Sequence, residues 1–419
     1  MTKPYPPPGF VPAESSVEGI QVFKPAPEQE DAQPVVTFKC PQCGATTAYS
    51  VAEGGLTCTH CGYYEPPEKP IVGKGAEEFE FKVETLERAA HGWGQERRDL
   101  ICENCGAITS LPEGALASTC PFCGSNQVIQ RPANQDALRP RFLIPFKVEM
   151  TACRKAIRDW LGSSWMTPGA LRKLADVHRL TSIYLPFWTF DAVTHADWRA
   201  EVGHTKTERY RSGGEWKTRT VTVWRWESGH VDLPFDDILI DGTTRVSNLL
   251  LNRIKDFDLK QLASFEPKYL AGFHAMSYDV ELEPAWDIAR GIMRERTRAA
   301  CRSQASTSKI RNFSMGLDFS DETWRYILVP TYLAPYTYGN QTFQVIVNAQ
   351  TGAIAGQRPA DWGKIIAVLG AGLVPGALTA LLGVILGSSI ATLVGVGFFG
   401  IAAVISIVII VMASRLDDV

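Results

Sequence analysis

Charge is missing from one long stretch of this 419-residue chain. From Ile365 to Ser414, fifty consecutive residues include no Asp, Glu, Lys, Arg or His. An amphipathic surface helix is excluded, because it needs a polar face. One helix crossing a bilayer uses roughly 20 apolar residues, so the run is long enough for two. The spacing predicts transmembrane helices over Ile365–Leu386 and Ile390–Ala413, divided by a tight turn at Gly387-Ser388-Ser389. Trp362 and Lys364 before the first span and Arg415 after the second give both ends interfacial and positive character, while the turn has no charge. The positive-inside rule then places both ends, and the N-terminal body, in the cytoplasm.

Other absences narrow the chemistry. The first residues, MTKPYPPPGF, lack the basic and apolar regions of a secretory signal. There is no G-x-x-x-x-G-K-[ST]: Gly73-Lys74 has Glu68 where the first glycine would stand. H-E-x-x-H and G-x-S-x-G are also missing, as is G-x-G-x-x-G at a strand–helix junction. His195, His204 and His230 have no carboxylate or cysteine partner visible along the chain, and read as surface or core residues. Cys153 and Cys301 fall on predicted helices and read as buried thiols. The tryptophans read as packing residues. The expectation is a protein that is not an enzyme.

Cysteine is not scarce. Eight of the ten fall in C-x-x-C pairs. Cys40 and Cys43 are followed, after fourteen residues, by Cys58 and Cys61; Cys102 and Cys105 are followed, again after fourteen, by Cys120 and Cys123. Each cysteine of the second set lies 62 residues after its counterpart, so one module is duplicated. A glycine follows every pair (Gly44, Gly62, Gly106, Gly124), as expected for a knuckle that turns backbone amides toward sulfur. Two knuckles supply four thiolates, the closed tetrahedral set of structural zinc. The spacing predicts two Zn2+ per chain, held in β ribbons with hairpin turns at 52–55 and 112–114. His60, inside a knuckle, is not needed as a ligand. Paired C-x-x-C sets also fit a reducing compartment rather than disulfides.

The remaining chain divides by composition. Residues 1–35 hold eight prolines and read as a disordered tail. Ribbon 1 spans 36–66, a charged connector 67–98 and ribbon 2 99–131. An α+β middle domain with an antiparallel sheet covers 142–360, and the hairpin covers 365–413. Within the middle domain, Ile144–Val148 reads as a strand and Thr151–Leu161 as a helix capped by Thr151. An aromatic strand over Leu180–Trp198 is broken at its proline. Trp198–Val202 and Arg219–Trp226 alternate as separate strands, with a turn at Gly213-Gly214. Arg245–Leu251 and Leu259–Leu262 read as short helices. A longer helix over Pro284–Ser303 shows Ile288, Ile292 and Ala299 on one face. Tyr184–Ala192 is echoed by Leu328–Tyr336, which points to two related halves. From Val35 to Arg131 there are eight Lys or Arg against twelve Asp or Glu, which favours protein partners over nucleic acid for the ribbons.

The two ribbons, the Tyr184-Leu185-Pro186-Phe187-Trp188-Thr189-Phe190-Asp191-Ala192 strand, the Val347-Asn348-Ala349-Gln350-Thr351-Gly352 segment and the apolar hairpin together resemble a bacterial family of double zinc-ribbon membrane proteins. Its members are often catalogued as primosomal protein N′ (replication factor Y)-like helicases. The chain is also similar to the zinc-ribbon membrane protein encoded with phage-shock and SPFH/flotillin-type proteins in Bacillus. The helicase label implies ATP-driven strand separation, which the missing phosphate loop contradicts. The membrane-stress relatives imply a scaffold that brings cytosolic partners to the bilayer, with phage-shock or SPFH/flotillin-type proteins as those partners. The expectation is therefore a membrane-anchored, zinc-binding cytosolic adaptor; the alternative is a membrane-tethered nucleic-acid binder. Small residues along the spans also allow a homo-oligomer through the hairpin.

Overall fold

The computed structural model describes residues 10–13, 22–25, 38–67, 72–73, 79–80, 98–111, 120–123, 125, 127–132, 138–171, 180–339 and 341–417. The turn expected at 112–114 and most of the connector lie outside them. Within the proline-rich leader, β1 (Phe10–Ala13) pairs antiparallel with β2 (Val22–Pro25), so part of the tail expected to be disordered forms a two-stranded ribbon.

The first ribbon is a separate three-stranded sheet of β3 (Ala48–Ser50), β4 (Gly55–Thr57) and β5 (Tyr64–Glu65). After a two-residue strand β6 (Phe79–Glu80) comes the second ribbon, β7 (Arg98–Cys102), β8 (Ile108–Leu111) and β9 (Val128–Pro132). It is not a free module. β8 bonds to a strand of the central sheet, β14 (His274–Ala275), through Ala275 and Ser110. The expected boundary at residue 131 is therefore crossed by one continuous sheet.

The body is built around three unusually long antiparallel strands: β11 (Thr181–Ser212), β12 (Glu215–Asp241) and β15 (Ile310–Tyr338). At about 3.3 Å per residue, β11 is roughly 100 Å long. The strand does not break at Pro186, as a proline in a central strand would lead one to expect. Instead Pro186 lies opposite Leu328 inside the sheet, and its carbonyl accepts the Gly242 amide at 3.0 Å. The strands expected at Trp198–Val202 and Arg219–Trp226 are segments of one hairpin closed at Gly213-Gly214, both at positive φ as a tight hairpin turn requires. The echoed segments are not two halves. They are neighbours in one sheet, with Tyr184 opposite Pro330.

Three β-bulges bend this sheet, and each holds a non-glycine residue at positive φ: Asp237 on β12, and Asp321 and Asn312 on β15. Asp and Asn tolerate that conformation better than other side chains.

Short elements close the base. β10 (Phe142–Leu143) runs parallel to β15 and antiparallel to β13 (Ala263–Ser264), while β16 (Gln341–Asn348) and β17 (Ile354–Gly356) extend the other end of β15. Two core clusters lie on opposite faces. Tyr184, Trp188, Phe190 and Tyr332 pack with α3 (Leu282–Gln304) and the first ribbon. Phe187, Ile183 and Ile327 pack with α2 (Asn248–Ile254) and the second ribbon. In α3 the buried stripe is Ala285, Trp286, Ala289, Met293, Thr297 and Cys301. Ile288 is exposed, contrary to expectation, and Thr297 can lie in the buried stripe because its hydroxyl is satisfied: it donates to Met293 O and bonds Thr194 Oγ1, both at 2.8 Å. Helix α1 (Met150–Leu161) begins one residue early, after Glu149, and Thr151 does not cap it.

The apolar run forms α4 (Trp362–Ile385) and α5 (Ser389–Asp417), with Gly387 at φ 67° in the turn. Each is long and apolar enough to cross a membrane, and only 11% of its most apolar stretch is buried. The hairpin is docked to the body. Asp361 caps α4 by accepting the Lys364 amide at 3.2 Å, and the Lys364 ammonium donates to Thr167 O at 2.9 Å.

Several of the small residues along the spans serve the contact between the two helices. A Cβ on Gly376 would meet Phe399 N at 2.8 Å, and Gly383 and Gly395 lie against Thr392 and Ala380 still more closely. Gly370, Gly397 and Gly400 face open space. Gly395→Leu is therefore expected to force α4 and α5 apart. A cysteine pair at positions 372 and 402, where the added carbons would sit 3.9 Å apart, should crosslink in the parent and not in the Gly395→Leu chain. Undiminished crosslinking would mean that the glycine contact does not hold the helices together.

Candidate metal centres

Each cysteine quartet is assembled from two knuckles. In all four, the first cysteine amide donates to the carbonyl five residues on: Cys40 to Ala45, Cys58 to Tyr63, Cys102 to Ala107 and Cys120 to Ser125, at 2.7–2.9 Å. Gly44, Gly62 and Gly106 close the turn at φ 69–73° and donate back to Cys40, Cys58 and Cys102. The left-handed conformation is what makes glycine necessary there.

The knuckles bring sulfurs together as expected. Cys40 Sγ is 3.4 Å from Cys61 Sγ, and the Cys43–Cys58, Cys102–Cys123 and Cys105–Cys120 pairs are at 3.6 Å. Four sulfurs at about 2.3 Å from a tetrahedral zinc stand about 3.8 Å apart. The quartets are thus within a few tenths of an ångström of a zinc cage, and far from disulfide distance. In both, the four ligand atoms lie within 4.8 Å of one another. The fit to zinc is good, with no position left open for a substrate. A backbone N–H from Cys61 holds the Cys58 thiol down to about 6, while Cys61 itself, although a Tyr63 backbone N–H lowers it, is pushed up to about 12 by the Cys40 sulfur beside it. The duplication extends to the surroundings. Asn104 Nδ2 donates to Cys123 Sγ at 3.6 Å, and Gln42, its counterpart 62 residues earlier, reaches Cys61 Sγ at 3.7 Å. His60 stands outside the quartet.

Two further groups were not expected. Asp191, Asp236 and Asp237 converge beside the first bulge. A buried cation already lies there: Arg325, 1% exposed, pairs with Asp237 and lies 3.7 Å from Asp191. Its Nε donates to Thr189 Oγ1 at 3.1 Å. The group reads as a structural charge network.

The histidines do have carboxylate partners: His230 Nε2 is 2.8 Å from Asp232 Oδ1 on its own strand, and the others lie across strands. His195 Nδ1 is 2.7 Å from Asp232 Oδ1, His204 Nε2 is 3.0 Å from Glu227 Oε1, and His230 Nδ1 is 2.8 Å from Asp197 Oδ1. Hydrogen bonds that Asp197 and then Asp232 accept from the ring hold the His230 pKa above its usual value. The cross-strand partners are 23 to 37 residues apart, so no reading along the chain finds them. Folding the chain about Gly213-Gly214 does, because it sets His195 opposite Asp232 and Asp197 opposite His230. Cys153 and Cys301 are fully buried, as expected.

The chain is similar to YdjG, an uncharacterized protein of Bacillus subtilis (strain 168): 24% identical over 338 residues, covering 80% of this chain and 93% of that protein. No protein-family profile matches it, and no solved structure does. The likeness assigns no family, and the resemblance to the primosomal protein N′-like group rests on sequence motifs alone.

Proposed function

We propose that this chain is a membrane-anchored, zinc-binding adaptor without catalytic activity, whose cytosolic body presents protein-binding surfaces beside the bilayer. The observation behind this reading is the pairing of two closed four-cysteine cages with a charge-free helical hairpin docked on the same body. Closed thiolate cages fold a module and leave no position for substrate. The sheet between them offers a long rigid surface. Partners of the phage-shock or SPFH/flotillin type are carried over from the resemblance alone.

The anchor is tested by fractionation. Full-length chain should stay with membranes through an alkaline carbonate wash, and a chain ending at residue 361 should be recovered in the soluble fraction. If the truncated chain remains in washed membranes, the hairpin is not the anchor. Membrane pull-down followed by mass spectrometry tests the adaptor role; a DNA-stimulated ATPase inherent to this chain would overturn its non-enzymatic part.

One observation favours the nucleic-acid alternative, and it moves the candidate surface away from the ribbons. The far end of the long hairpin, residues 203–226, has six Lys or Arg against two Asp or Glu. It also exposes Trp216 (72%) and Trp226. Basic residues interleaved with exposed aromatics are what single strands stack upon. Salt-sensitive binding of single-stranded DNA, lost in Trp216→Ala, would favour this second reading.

A further inference from the structure

The open face of the long sheet holds a cluster that neither zinc cage nor anchor accounts for. Beyond the Arg325 network, alternate residues of β11 point away from α3 into solvent, among them His195 and Asp197. Their cross-strand partners on β12 are Asp232 and His230. Asp232 Oδ1 lies 2.7 Å from His195 Nδ1 and 2.8 Å from His230 Nε2.

His230 cannot satisfy this arrangement as a neutral ring. Both its nitrogens face carboxylate oxygens at 2.8 Å, Nδ1 toward Asp197 and Nε2 toward Asp232. A neutral imidazole has one N–H, so one nitrogen lone pair would point at an oxygen lone pair. A second proton resolves the conflict; so does a metal ion between His230 Nε2 and Asp232.

We infer that His195 Nδ1, His230 Nε2 and Asp232 form a third metal site, an exchangeable one for a borderline divalent transition ion such as zinc. The three ligand atoms lie within 4.8 Å of one another. Nitrogen and oxygen ligands at about 2.0–2.1 Å from a tetrahedral ion stand about 3.3 Å apart, so each contact opens by about half an ångström. Side chains 41–57% exposed can make that adjustment.

The surroundings match a ligand set rather than a chance cluster. The far nitrogen of each ring is held: His230 Nδ1 by Asp197, and His195 Nε2 by Ser320 Oγ at 2.9 Å. Ligating histidines are oriented in this way by a carboxylate or hydroxyl behind them. His195 and Asp232 stand on directly opposed strand positions, and His230 is two residues before Asp232 on the same strand, which fixes their spacing. Two imidazoles and one carboxylate suit zinc, cobalt, nickel or copper rather than magnesium or calcium. Three protein ligands leave a position for water, so this ion exchanges where those of the closed cages do not.

Cobalt distinguishes the sites. Co2+ bound by thiolates shows an intense sulfur-to-metal charge-transfer band, whereas Co2+ on imidazole and carboxylate shows only weak visible bands. Full-length protein in detergent, titrated with Co2+ after zinc loading of the cages and desalting, is expected to bind one ion without the thiolate band. His230→Ala and Asp232→Asn should each abolish that ion and leave cage zinc unchanged. Asp197→Ala, which removes only the support behind His230, should weaken it about 10–100-fold. No thiolate-free cobalt in the parent, or its retention in both ligand variants, would overturn the site and leave a hydrogen-bonded cluster. Failure of the zinc cages would appear separately, as a thiolate band or missing zinc.

Discussion

Cys120→Ser is expected to remove one zinc per chain and unfold the central sheet, whereas Cys43→Ser should remove one zinc and unfold little beyond residues 38–67. The duplicated sequence predicts two equivalent modules; the structure makes them unequal. Cys102, Ala107, Cys120 and Phe122 belong to the same buried cluster as Ile183, Phe187 and Ile327 of the central strands. Strand β8 continues the body's sheet through β14. A zinc ion bound in this cage would therefore hold together a core that the long strands share. The first ribbon has its own sheet: Tyr49 and Leu56 join the core on the opposite face of the long strands, but none of its cysteines does. The Tyr49 amide donates to Ala271 O at 3.1 Å, its ring packs on Tyr269 and Phe273, and Lys268 pairs with Glu65.

The expected magnitudes are large because metal binding at a closed four-thiolate cage is folding energy. Structural zinc in small modules contributes about 10–16 kcal/mol, comparable with the whole stability of a domain at about 5–15 kcal/mol. Zinc analysis should give one ion per chain for either variant. Thermal melting and limited proteolysis should then separate them, with cleavage confined to the first ribbon in Cys43→Ser. Equal loss of body stability in the two would show that the shared sheet does not transmit the effect.

What the sequence discloses here follows from how local each signal is. The cages were legible because ligand spacing is a local property repeated four times, and the sulfurs meet as the spacing requires. The hairpin was legible because fifty residues without charge admit few other fates. The length of β11 was not, because proline normally ends a central strand and Pro186 does not. The histidine pairs were hidden by the same error: with the hairpin divided into separate strands, Asp232 has no reason to face His195. The face of α3 was misjudged because Ile288 is exposed while Thr297 and Cys301 are buried. Arg325 gives no sign along the chain of being among the most buried side chains in the molecule.

Away from the cysteine cages, the buried Arg325 pair is where a single change should cost the folded body heavily. Its guanidinium is 1% exposed and faces Asp237, whose side chain is itself 8% exposed. Asp191 is 3.7 Å from the guanidinium, and it also accepts the Asp237 amide. Removing one partner of a buried pair leaves an uncompensated charge and costs about 3–5 kcal/mol, while replacing the pair with apolar groups can be nearly neutral. Asp237→Ala is expected to lose that amount and to add the strain of alanine at φ 60°. Asp237→Asn keeps a side chain that tolerates the left-handed bulge, so it isolates the charge and should cost less. Arg325→Met leaves Asp237 and Asp191 facing each other and should cost as much as Asp237→Ala. The double variant, Arg325→Met with Asp237→Asn, should cost well under the sum of the two single changes, because the second removes a charge that the first has orphaned. Chemical denaturation of the four proteins in detergent measures this directly. Additive losses would mean that Arg325 and Asp237 contribute independently, and that the buried pair does not hold the bulge where the covered core gives way to the open sheet.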